Sequence, residues 1–165
     1  RALGARVAVT AGSQEKLDAC AALGAEVLIN YNDQDFVEVI ADVTGGRGAN
    51  VVLDNMGAAY LDRNVTALAR DGRLVIIGLQ GGVKAELNIS RLLMKNGSII
   101  ATSLRGRPES EKAAICMQVE RNVWPWIHAG VVRPVIDRRM PLRDAAQAHQ
   151  LLADGEITGK IVLTN

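Results

Sequence analysis

Residues 6–25, "RVAVTAGSQEKLDACAALGA", carry the pattern from which the fold is read. Arg6-Val7-Ala8-Val9-Thr10 predicts a short apolar strand. Ser13 is placed to cap a helix over residues 14–23, with Glu15 at its positive end. Leu17, Cys20, Ala21 and Leu23 form the predicted buried stripe of that helix. Gly24 stops it at the position that follows a helix C-cap. A strand that runs straight into a helix is the opening half of a βαβ unit.

The same alternation continues outward. Residues 26–30 predict a second strand. Asp33 is placed to cap a helix carrying Phe36, Val37, Val39, Ile40 and Val43 at helical spacing. Gly45-Gly46-Arg47-Gly48 breaks it. Residues 50–54 predict a third strand and residues 59–69 a helix. Asp71-Gly72 turns the chain into the apolar strand 74–77, closed by Gly78. Leu92 and Leu93 fall in a short helix, and residues 98–102 form a fifth strand. Strand and helix in strict alternation predict an α/β fold, a doubly wound parallel sheet. After Arg107-Pro108 the rhythm ends. A long helix over residues 110–128 is interrupted by Pro125, which should kink it. An extended stretch at 134–137, a helix at 142–153 and a strand at 160–163 follow. These pieces read as the chain leaving one domain to finish in another, with the boundary near residue 130.

Composition narrows the function. The 165 residues are 48% hydrophobic but only 3% aromatic, so the core must be built from Val, Ile, Leu and Ala. That suits buried parallel strands and leaves few rings on which nucleic-acid bases could stack. The formal net charge is +1, with no basic stripe to attract a polyanion. Cys20 and Cys116 stand far apart and read as two buried thiols, in keeping with a reducing cytoplasm. His128 and His149 lack metal-ligand spacing, and His149 reads as a packing or capping residue. No apolar run in these residues reaches the length of a membrane span, and no signal peptide is expected.

The turn after the first strand, Thr10-Ala11-Gly12-Ser13, has no carboxylate. An acid at the end of that strand commonly binds the ribose hydroxyls of NAD. Its absence, together with the bare backbone of Gly12, the hydroxyl and helix-start N–H of Ser13 and the ammonium of Lys16, suits a phosphate on the ribose 2′ position. An ordinary N-cap serine beside a solvated lysine accounts for the same residues. Tyr31, after the second strand, lies at the same edge of a parallel sheet. It can stack on adenine, bond a phosphate, or be a half-buried surface aromatic. Three further strand ends carry small or polar groups at that edge, where open α/β sheets bind ligands: Asp54-Asn55-Met56-Gly57, Ile77-Gly78-Leu79-Gln80-Gly81-Gly82 and Thr102-Ser103-Leu104-Arg105. No nucleophile–base pair and no carboxylate pair stands at a useful spacing. The sequence offers a platform on which a cofactor would do the chemistry.

The ordered blocks VTAGSQEKL (9–17), GAEVLINY (24–31), VVLDNMGAAYL (51–61), GRLVIIGLQGG (72–82), LLMKNGSIIATSLRGR (92–107), VVRPVIDRRMPLRDAAQAH (131–149) and GKIVL (159–163) span nearly the whole chain. They resemble the zinc-free quinone oxidoreductases, the zeta-crystallin-like branch of the medium-chain dehydrogenase/reductase superfamily. The resemblance implies a GroES-like catalytic domain joined to a Rossmann domain. It implies hydride transfer from NADPH to a quinone or other enone-type acceptor, without zinc, by a cytoplasmic enzyme that is commonly a homodimer. Gly12, Ser13, Lys16 and Tyr31 would hold the adenosine 2′-phosphate. Met56 and Gly57 would line the ribose and adenine region. Ile77, Gly78, Leu79, Ser103, Leu104 and Arg105 would face the nicotinamide half, and Lys160 would approach from the domain interface. Residues 1–130 would then be a partial dinucleotide-binding domain and 131–165 a segment returning toward the catalytic domain. No catalytic residue and no metal ligand is assigned.

One departure is expected to matter. The family's first Rossmann strand and its Gly-rich phosphate loop have no counterpart in these residues, and Arg1-Ala2-Leu3-Gly4-Ala5 resembles the tail of the helix that follows them. In the usual strand order that first strand lies between the second and the fourth, so two inner sheet edges would be exposed. Other readings are an enoyl reductase domain of a larger synthase and a non-catalytic structural or interaction protein with a vestigial cofactor site. A methyltransferase is disfavoured, since it too would place an acid after that strand. Residues 1–165 alone are expected to bind NADPH far more weakly than a protein that also carries the phosphate loop, and to self-associate. Calorimetry and light scattering on both check this; a monomeric chain of equal affinity would overturn it.

Overall fold

The computed structural model describes all of residues 1–165. Two parallel sheets carry the first hundred residues. Strands β1 (Ala8–Ala11) and β2 (Val27–Asn30) pair in one. Strands β3 (Ala49–Asp54), β4 (Leu68–Ile76) and β5 (Ser98–Ala101) pair in order in the other. The chain steps from β1 to β2 and then moves through β3, β4 and β5, so β1 and β3 each keep one edge without a ladder partner. β2 and β5 do so as well, and no ladder joins β1 to β3, in keeping with the open inner edges expected from the sequence.

Helix α1 (Gln14–Ala22) begins at Ser13, whose Oγ accepts from the Lys16 backbone N–H at 3.4 Å. It ends at Gly24, where φ is +96° and the Gly24 and Ala25 N–H groups donate to the Ala21 and Cys20 carbonyls. Of its predicted stripe only Leu17 is buried; Cys20 is half-buried, and Ala21 and Leu23 are exposed. The apolar face exists, but little in the chain covers it. Helix α2 (Phe36–Val43) is capped by Asp35, which accepts from the Val37 N–H at 2.8 Å, and not by Asp33. Asp33 instead accepts from the Asn30 side chain at 2.6 Å. After β3 the chain makes a single 3-10 turn at Ala58–Tyr60 before α3 (Leu61–Ala67). That helix stops short of the predicted residue 69, because Leu68 already pairs with Ala49 as the start of β4. The Asp71-Gly72 turn therefore falls inside β4, as a slip in its register against β3.

Phe36 and Ile40 of α2, Ile29 of β2 and Ala67 of α3 form one small core. Val65 and Leu68 join Leu74 of β4 in another, with Val52, Ile76 and Ile99 packed against it. Helix α4 (Ile89–Met94) adds Leu92 to this second core. The opposite face of the β3–β4–β5 sheet carries Val51, Leu53, Ile77 and Ile100, all exposed. Beyond β5, α5 (Glu109–Asn122) has no buried residue and packs on α6 (Trp124–His128). The expected single kinked helix is two helices that meet at Val123, since Pro125 has no N–H and its ring crowds the preceding turn. Strands β6 (Ile136–Pro141) and β7 (Lys160–Thr164) form a separate parallel pair, linked through α7 (Ala145–Ala153). Neither thiol is fully buried, Cys116 being exposed, and His149 lies exposed on α7 rather than packed.

Asp35 links α2 to α3: beyond its cap it accepts from Arg63 Nη2 at 3.0 Å, and the Arg63 guanidinium lies 4.4 Å from the centre of the Phe36 ring. The bond from the Val37 N–H, and then the one from Arg63, lower the Asp35 pKa below its ordinary 3.8. A depressed carboxylate contributes stability above its unfolded pKa, and that contribution is lost as pH falls through the folded value. Asp35→Asn should therefore lower the urea midpoint at pH 7. The difference from the unsubstituted chain should close at acid pH well below 3.8, as two denaturation series would show.

Candidate functional site

The carboxyl ends of β1 and β2 form one corner of the site. Gly12 follows β1, and a Cβ there would collide with the Tyr31 hydroxyl, so only glycine lets the ring lie across this turn. Tyr31 remains 49% exposed. The Asn32 side chain donates to the Gly12 carbonyl at 2.8 Å and ties the two turns together. Ser13 opens α1, where the helix dipole favours an anion. Lys16 Nζ donates to the Gly155 carbonyl at 3.0 Å, in the turn between α7 and β7. An ammonium has three protons, so two remain for a second partner. No carboxylate lies in the turn that leaves β1.

The ends of β3 and β4 form the second corner. Asp54 closes β3, and its carboxylate accepts from the Met56 N–H at 2.8 Å and the Gly57 N–H at 2.9 Å. The turn needs φ +75° at Gly57, a conformation a side chain would strain. Beside it runs the turn after β4. Gln80 and Gly81 donate their N–H groups to the Asn55 and Met56 carbonyls at 3.2 and 2.7 Å, and Ala58 and Ala59 donate to the Gly82 and Gly81 carbonyls. A Cβ on Gly78 would stand 2.7 Å from the Asn55 carbonyl, so the two backbones are in contact. Leu79 lies against Gly57, and both line a cavity of about 370 Å³ with Leu61, Ile76 and Val83.

The predicted residues thus gather in two groups, Gly12, Ser13, Lys16 and Tyr31 in one and Met56, Gly57, Ile77, Gly78 and Leu79 in the other. Ser103, Leu104 and Arg105 form the exposed turn after β5. Lys160 is exposed at the start of β7, and its backbone N–H donates to the Val135 carbonyl. The C-terminal segment reaches the first corner through Gly155 and not through Lys160. Sequence reasoning missed Asp54, Asn32 and Gly155. An Asp three residues before a Gly at a strand end is a signal for the first, because an Asx turn takes that form. No local signal marks the other two. No three His, Cys, Asp or Glu side chains come together in a cluster that could hold a metal. No helix is long and apolar enough to cross a membrane.

The chain is similar to known proteins over nearly its whole length. A 2-haloacrylate reductase of Burkholderia sp. is 31% identical over 169 residues, covering 99% of this chain and 49% of that protein. Quinone oxidoreductase 1 of Escherichia coli K12 is 29% identical over 167 residues, covering 99% of this chain and 50% of that protein. The crystal structure of Escherichia coli quinone oxidoreductase complexed with NADPH superposes with a TM-score of 0.83 at 28% identity, over 99% of this chain and 51% of that one. The chain spans about half the length of the curated relatives it matches. Residues 1–118 match the zinc-binding dehydrogenase family, and with an α/β fold of parallel strands and quinone oxidoreductases among its relatives the chain belongs to that family, in the quinone oxidoreductase branch of the medium-chain dehydrogenase/reductase superfamily.

Proposed function

We propose that the chain is the NADPH-binding half of an oxidoreductase that passes hydride to a quinone or other enone-type acceptor. The first corner carries this reading. A turn without a carboxylate, a glycine under an exposed tyrosine, a capping serine and a lysine with two free ammonium protons suit a ribose 2′-phosphate and would not repel it. The family membership and the NADPH complex of a relative support it. When bound, the nicotinamide supplies the hydride. The chain's own part is to orient the cofactor: the Gly57 and Gly78 backbones admit a flat ring or ribose, and Leu79, exposed in this structure, offers apolar surface that a bound ring would cover. Ser103, Leu104, Arg105 and Lys160 are proposed to complete the nicotinamide side. Residues 1–130 would form the dinucleotide-binding part and 131–165 the return toward a catalytic domain, in a zinc-free cytoplasmic homodimer.

Lys16→Ala should weaken NADPH binding by at least tenfold, since a charge-assisted bond contributes about 1.5–3 kcal/mol. NADH binding should be nearly unchanged. Equal losses for the two cofactors, measured by fluorescence titration of the intact protein, would remove Lys16 from the phosphate site. Exhaustive chelation should leave quinone reduction intact, and stoichiometric zinc lost together with activity would refute the zinc-free reading.

A further inference from the structure

We infer that Asp54 is a positioning residue for both turns of the β3–β4 corner, and so for the ribose and the nicotinamide parts of the site, an assignment that rests on the NADPH reading above. The carboxylate is only 5% exposed, and none of the chain's ion pairs includes it. A buried acid without a cation is costly unless hydrogen bonds compensate it. Here both oxygens are compensated from within one turn: one accepts from the Met56 N–H, the other from the Gly57 N–H. Drawing both N–H groups inward leaves the Asn55 and Met56 carbonyls facing the neighbouring turn, where they accept from Gln80 and Gly81. The Asp54 backbone carbonyl also accepts from the Ile77 N–H at 2.7 Å. One side chain therefore sets the β3 turn directly and the β4 turn through it. Bonds in such a series polarise one another, so loss of the charged acceptor is felt at the far end. Asp54 touches no ligand in this arrangement. It acts through Met56, Gly57, Ile77, Gly78 and Leu79, the residues proposed to meet the cofactor.

Asp54→Asn keeps the shape and one acceptor but sets an amide NH₂ against a backbone N–H. The test uses the intact protein and two probes: NADPH, and adenosine 2′,5′-bisphosphate, which lacks the nicotinamide half. Asp54→Asn should weaken NADPH, which meets both turns, by about tenfold, the scale of a lost bond to a charged group, and weaken the bisphosphate, which reaches only the Met56–Gly57 turn of the two, by clearly less. Backbone hydrogen exchange should quicken at residues 56, 57, 80 and 81 and stay as it was in α1. Equal weakening of both probes, or quickened exchange confined to residues 56 and 57, would overturn the role assigned to Asp54 while leaving the NADPH reading in place. An unsubstituted protein that binds neither probe would overturn both. If Asp54→Asn does not fold, Asp54→Glu, which keeps the charge and displaces it by one methylene, carries the same comparison.

Discussion

No backbone ladder joins the two halves of this molecule. β1 pairs only with β2, and β3 only with β4, so what holds one sheet beside the other is the contact of α2 with α3. Phe36 is central to it. Its ring stacks on Tyr60 at 5.8 Å between centres, lies under Arg63, and packs with Ile29, Ile40 and Ala67. A ladder fixes register residue by residue, whereas a cluster of side chains fixes only proximity. The spacing between the corner at β1–β2 and the corner at β3–β4 therefore depends on how well this small cluster is filled.

Each corner is built on a different principle. At β1–β2, side chains do the work: a tyrosine over a glycine, a capping serine, a lysine tied to a distant carbonyl. At β3–β4, the surface is almost wholly backbone, two glycine-bearing turns bonded side by side over a buried carboxylate. The first suits recognition of a charged group, where identity matters. The second suits a flat ring, where closeness matters more than any one side chain. A cofactor with an anionic end and an aromatic end would match that division.

Most of the strand and helix order was legible because it follows from local pattern. The apolar runs, the Ser13 cap and the Gly24 stop are settled within a few residues. Errors arose where neighbours competed. Asp33 and Asp35 both stand before α2, and only Asp35 has the backbone geometry to reach the Val37 N–H. The stripe on α1 was legible as apolar, but periodicity does not say whether anything lies against it. For the candidate site, the position of each strand end was readable, since a parallel sheet sends all of them to one edge. The bond between Lys16 and Gly155 was not, because it joins residues 139 apart through a turn with no motif. Asp54 was visible as a strand end and missed as an acceptor, because an Asx turn is a statement about two N–H groups and only one carboxylate appears in the sequence.

Only 15 of the 165 residues are buried, and the two apolar clusters hold four and three of them. Unfolding such a chain uncovers less apolar surface than unfolding a compactly buried chain of the same length would. The heat capacity of unfolding scales with that surface, and so does the steepness with which denaturant acts. The chain taken alone should therefore have a shallower stability curve than a compactly buried chain of its length: its free energy should change more slowly with temperature, and its transition should be broader.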